Sequence, residues 1–95
     1  MIGTQNLIMN CQWDPKKAAA DKRKYGVEFA DAVGVFEDEW ALIFEDTDIH
    51  GEQRFITNGM DFLDRILVIV YTYREDDIRL IMARTATKVE RKEYE

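Results

Sequence analysis

The 95-residue chain has one cysteine, one proline and no apolar run longer than the six residues 66–71. The lone cysteine, Cys11, forms no internal disulfide and points to a reducing, bacterial-type cytoplasm. The scarcity of proline, with an ordinary 46% of hydrophobic residues, argues against disorder. A strand-sized apolar run is too short for a membrane span, which needs about 18–20 residues. Residues 1–10 lack the basic and apolar regions of a secretory signal, so none is expected there. Repeats, low-complexity segments and linkers are absent, as are phosphate-loop, dinucleotide-binding and nucleophile-elbow motifs. At this length a single domain over residues 1–95 is expected.

Charge is abundant but unevenly placed. Residues 14–26 carry five basic and two acidic side chains, residues 27–64 one basic and eleven acidic, and residues 65–95 seven basic and six acidic. The net charge of −6 disfavours a general nucleic-acid binder, because phosphate contacts need clustered Lys and Arg. It leaves room for a local basic cleft.

The patterning predicts an α+β fold: a mostly antiparallel sheet with an N-terminal helix pair on one face and a short C-terminal helix. Residues 7–13 read as a first strand. Asp14-Pro15 is a helix start, and Gly26 supplies a left-handed exit from a helix over 15–24. Phe29, Ala32, Val33 and Phe36 recur at helical spacing and predict a second, amphipathic helix ended by Glu37-Asp38-Glu39. Strands are predicted at 40–44, 54–58, 65–74 and 78–83, the last two joined by a tight charged hairpin. The third of these is apolar on both faces, so it should be central and covered on both sides. Thr87-Lys88-Val89-Glu90 fits a capping box opening the C-terminal helix, whose large apolar residues are only Val89 and Tyr94.

Several phrases, in order and spacing, resemble one family. They are Trp13-Asp14-Pro15-Lys16-Lys17-Ala18, Lys24-Tyr25-Gly26-Val27-Glu28-Phe29, Gln53-Arg54-Phe55-Ile56, Val70-Tyr71-Thr72 and Arg79-Leu80-Ile81-Met82-Ala83-Arg84, followed by Glu90-Arg91. The chain is similar in them, from about Trp13 to Tyr94, to the BrnT toxins of type II toxin–antitoxin systems. The resemblance implies a RelE-like fold, ribonuclease activity, and a partner antitoxin (BrnA-like) that carries a DNA-binding domain and represses the shared operon. The sequence departs from the family pattern at three places: Tyr25 stands where histidine is usual, Asp21 where asparagine is usual, and Met82 where serine is usual.

Cleavage of single-stranded RNA by its own 2′-hydroxyl needs a base, an acid and cations on the phosphorane. It needs no metal and no small-molecule cofactor. Arg54, Arg79 and Arg84 are the cation candidates, because a guanidinium fork matches phosphate geometry. The competing reading pairs them with surface carboxylates. Arg79 and Arg84 are five residues apart, so a regular strand would point them to opposite faces unless a bulge re-aims one.

Lys24 is either a catalytic base or part of a solvated basic helix face. Lys16, Lys17 and Arg23 on the same helix are candidate RNA contacts, and Tyr25 is a candidate base-stacking ring. Tyr71 is either catalytic or a core residue with a bonded hydroxyl. His50, with Asp46 and Asp48, faintly resembles a calcium loop, but position twelve is Thr57 where an acidic ligand is required, so no metal site is expected. Cys11 reads as a buried small residue. Two functions stay open: an endoribonuclease, or a catalytically weak relative retained as an antitoxin-binding module.

Overall fold

A computed structural model describes residues 10–47 and 51–95. Among these residues five strands form one mixed sheet in the order β1-β5-β4-β3-β2. The strands are β1 (Cys11–Gln12), β2 (Leu42–Thr47), β3 (Gln53–Met60), β4 (Ile66–Arg74) and β5 (Asp77–Thr85). Three α-helices accompany them: α1 (Pro15–Tyr25), α2 (Phe29–Ala32) and α3 (Lys88–Tyr94).

The helix signals act as the sequence predicts. The Asp14 carboxylate accepts the Lys16 N–H at 2.9 Å, Pro15 opens α1, and Gly26 closes it at φ +74°. The capping box at Thr87 is reciprocal: its hydroxyl accepts the Glu90 N–H at 3.2 Å, and the Glu90 carboxylate accepts the Thr87 N–H at 2.8 Å.

The second predicted helix is divided. After α2 the chain tightens into a 3-10 helix, Val33–Glu37. Three residues per turn bring Ala32 and Val35 to the same side, and both are fully buried. Gly34 is also buried, where a Cβ would lie 2.6 Å from the Phe62 backbone nitrogen. Phe36, expected in the core, is half-buried and meets Tyr71 edge-on at 4.9 Å.

The first strand is corrected as well. Its described part is only Cys11–Gln12, residues 7–9 lie outside the described residues, and Trp13 leaves the sheet to pack edge-on against Phe29. The pairing of β1 with β5 is parallel, so antiparallel order holds for β2 to β5 alone. Strands so distant in sequence have no hairpin to impose the antiparallel sense. β2 starts two residues later than predicted, because Trp40 is held in a turn by Asp38.

β4 is the middle strand, as its apolar sequence requires. One face of the sheet packs on the helices. Leu67, Ile69 and Tyr71 of β4 with Ile78, Leu80 and Ala83 of β5 meet Val27, Phe29, Ala32 and Val35 there. Burying each large side chain of this core is worth about 1.5–3 kcal/mol. The other face is covered unevenly: Val68 and Thr72 are buried but Val70 only half-buried. Strand alternation and register also put Arg54, Ile56, Asn58, Arg79, Met82 and Arg84 on this second, open face.

Candidate functional site

The register of β5 against β4 decides where the arginines point. Tyr71 pairs with Leu80, but Val70 pairs with Met82, so Ile81 is one residue too many. This bulge lets Leu80 and Ala83 both enter the core. It also puts Arg79, opposite Thr72, and Arg84, opposite Val68, on the open face together. Arg54 precedes Phe55, which packs on the core side, and so shares the open face.

Arg54 and Arg79 flank Thr72 from the two strands beside β4, with backbones about 10 Å apart. Arg84 is farther along: its β4 partner, Val68, lies four residues from Thr72, or about 13 Å. The half-buried side chains of Ile56, Val70 and Met82 line the space between.

Arg84 is the centre of a polar neighbourhood. Its Nη1 and Nη2 donate to the two carboxylate oxygens of Glu90 at 2.8 and 2.9 Å, and Nη1 also reaches the Thr85 carbonyl at 3.3 Å. The guanidinium holds the Glu90 carboxyl down at about 2, helped by the bonds from Thr87. The Glu90 bond raises Arg84 in turn, and Tyr25 is near enough to add to that electrostatically. The Lys24 ammonium sits 5.1 Å from the centre of the Tyr25 ring.

One turn earlier on α1, Asp21 is buried, and its Oδ1 accepts the Ala83 N–H at 3.1 Å. Oδ2 is buried with no hydrogen-bond partner among the described residues. Burial raises the Asp21 carboxyl above its ordinary range, against the opposing Ala83 bond and the Lys24 charge. The end of α1, the end of β5 and the start of α3 thus bring Lys24, Tyr25, Arg84 and Glu90 into one neighbourhood.

The remaining candidates are placed differently. Tyr71 is 2% exposed, its hydroxyl shares a 2.8 Å hydrogen bond with Thr57, and it lies on the core side of β4, away from the arginines. Burial pushes its hydroxyl pKa up, which opposes any role as a base. On α1, Asp21 marks the face turned to the sheet. Lys17 and Lys24, four residues before and three after it, border that face, whereas Lys16 and Arg23 point to the opposite side of the helix. Cys11 packs against the core, and burial, then the Asp77 charge, raises its thiol.

Sequence reasoning missed Glu90 as the partner of Arg84. An ion pair six residues apart across a strand-to-helix turn follows neither strand nor helix spacing. The capping box marked Glu90 only as a helix residue.

Among the described residues no group of three His, Cys, Asp or Glu side chains is arranged to hold a metal, and Asp48 and His50 lie outside them. No described helix is long and apolar enough to cross a membrane.

Residues 13–90 match the family model for the ribonuclease toxin BrnT of type II toxin–antitoxin systems. The fold is similar to that of the Brucella abortus ribonuclease toxin BrnT, solved at 1.1 Å, with a TM-score of 0.67 and 24% sequence identity. The superposition covers 84% of this chain and 99% of that one. At that identity the likeness shows the fold alone. A search of curated proteins finds no match.

Proposed function

Because the chain belongs to the BrnT family of ribonuclease toxins of type II toxin–antitoxin systems, we propose that it cleaves single-stranded RNA through the open face of its sheet. The observation that carries this reading is the β5 bulge, which gives Arg79 and Arg84 the same face as Arg54. The RNA 2′-hydroxyl loses its proton and its oxygen attacks the adjacent phosphorus. The P–O5′ bond breaks, the 5′-oxygen takes up a proton, and a 2′,3′-cyclic phosphate and a 5′-hydroxyl result. Arg84 stabilises the phosphorane, and Arg54 and Arg79 hold neighbouring phosphates. Lys24 is the proton-transfer group, with Tyr25 beside it to stack a base. Lys17 extends the cationic border, and Lys16 and Arg23 draw RNA in at longer range. Tyr71 supports the core beneath the site. The reaction as written uses no metal and no small-molecule cofactor.

Membership of a type II family implies an antitoxin partner. We take it to be a DNA-binding, BrnA-like protein that acts on this chain in the cytoplasm, with residues 1–95 forming one toxin domain.

Incubation of the purified chain with labelled single-stranded RNA in chelator tests the reading. Arg84→Ala should lower cleavage by about 10²–10³-fold, and Arg54→Ala should lower it less. Equal cleavage by the parent and Arg84→Ala would overturn the site. The pairing of Arg84 with Glu90, with Tyr25 in the usual histidine position, favours one alternative: a catalytically weak, antitoxin-binding relative. On that reading expression causes no growth arrest, and arrest relieved by Arg54→Ala removes it.

A further inference from the structure

We propose that Glu90 is a positioning residue for Arg84, and that α3 is the part of the fold that aims this guanidinium across the open face. The proposal rests on the ribonuclease reading above and adds a residue to it. Two carboxylate oxygens meet two guanidinium nitrogens at 2.8 and 2.9 Å, a fork-on-fork pairing that leaves the guanidinium plane little rotation. The same Glu90 Oε1 accepts the Thr87 N–H at 2.8 Å, so the carboxylate is itself held by the first turn of α3. The far end of α3 is tied down by the Tyr94 hydroxyl, which donates to Asp38 at 2.6 Å. α3 has no buried residue and leaves Val89 67% exposed, so these polar bonds rather than apolar burial hold it.

The pairing uses the Nη1–Nη2 end of the guanidinium. The side formed by Nε and Nη2 makes no other hydrogen bond among the described residues, and it can present two parallel N–H groups to a phosphate. Arg84 and Glu90 carry no net charge as a pair, so what Arg84 offers a phosphorane is direction. Direction is the property that the Glu90 clamp confers.

The test is a set of kcat and KM measurements on single-stranded RNA in chelator. Glu90→Ala should lower kcat by about 10- to 100-fold, with KM changed by less than about twofold. Glu90→Gln keeps an acceptor for both Thr87 and Arg84 and should recover part of that loss. Thr87→Ala removes the cap hydroxyl but keeps the backbone N–H that holds Glu90, and should lower kcat by clearly less than Glu90→Ala does.

In an Arg84→Lys background, which has no planar fork to orient, Glu90→Ala should change kcat by less than about twofold. The proposal is overturned if Glu90→Ala multiplies fully onto Arg84→Lys, or if Thr87→Ala costs as much as Glu90→Ala. It is also overturned if Glu90→Gln raises kcat, which would make Glu90 a mask over Arg84. No cleavage by the parent overturns the ribonuclease reading itself, whereas a cleaving parent with multiplicative Glu90→Ala overturns positioning alone.

Discussion

The two faces of β4 and β5 are built from the same strands but obey different rules. On the core face the side chains are apolar and buried: Leu67, Ile69, Leu80 and Ala83 are each 1% exposed or less. On the open face half-buried Val70 and Met82 alternate with buried Thr72 and with Arg79 and Arg84, and the polar helix α3 lies nearby. The core face is held by dispersion and the hydrophobic effect, which tolerate no charge. On the open face the Arg84–Glu90 pair and the bond from Thr72 to the Gln53 carbonyl add polar contacts to the packing of partly buried apolar side chains. One bulged residue, Ile81, keeps the two sets apart where plain alternation would have turned an arginine into the core.

The contrast breaks most visibly by truncation. Ile69→Ala on the core face should cost about 2–5 kcal/mol, read as a lower urea midpoint at unchanged slope. Val70→Ala, its half-buried neighbour on the open face, should cost roughly half as much or less. Equal losses would show that the open face is packed as tightly as the core.

A smaller effect sharpens the boundary between the faces at Asp21. Its folded carboxyl is raised by burial, so the folded state resists ionisation that the unfolded chain undergoes freely. Stability is therefore highest below the unfolded pKa of about 3.9 and falls as pH rises through the raised folded value. Asp21→Asn keeps an acceptor for the Ala83 N–H and should raise stability at pH 7 by about 1 kcal/mol, with little change at pH 3. Thermal melts of both proteins across pH check this, and a loss at pH 7 would contradict it.

The smallest effect lies at the far end of α3. Tyr94→Phe removes the hydroxyl bond to Asp38 and should lower the melting temperature by a few degrees at neutral pH. The folded Tyr94 hydroxyl is pushed up to about 12, chiefly by that bond. Its contribution is therefore present below the unfolded value near 10 and is lost as pH rises toward about 12. The melts of parent and variant should converge there.

Much of the fold was legible in the residues. Asp14-Pro15 and Gly26 bound α1, Thr87 and Glu90 open α3, and the doubly apolar 66–71 run marks the middle strand, because each signal is local and acts through its own backbone. The second helix was legible only in part. The close approach of Gly34 to Phe62, a contact between distant residues, accompanies a tightening into 3-10 form that 3.6-residue spacing did not foresee. The candidate site was least legible. The three arginines could be named, but whether they shared a face depended on a bulge.

The sequence by itself determined most element types, the order of the strands along the chain and the family, since capping, alternation and motif spacing are written in neighbouring residues. The tertiary structure alone decided that β1 runs parallel to β5, that Tyr71 belongs to the core, and that Arg84 is held by Glu90. Those outcomes depend on which strand edges meet and on the register they adopt. Register is a property of two strands at once, and a shift of one residue reverses the face of every side chain beyond it.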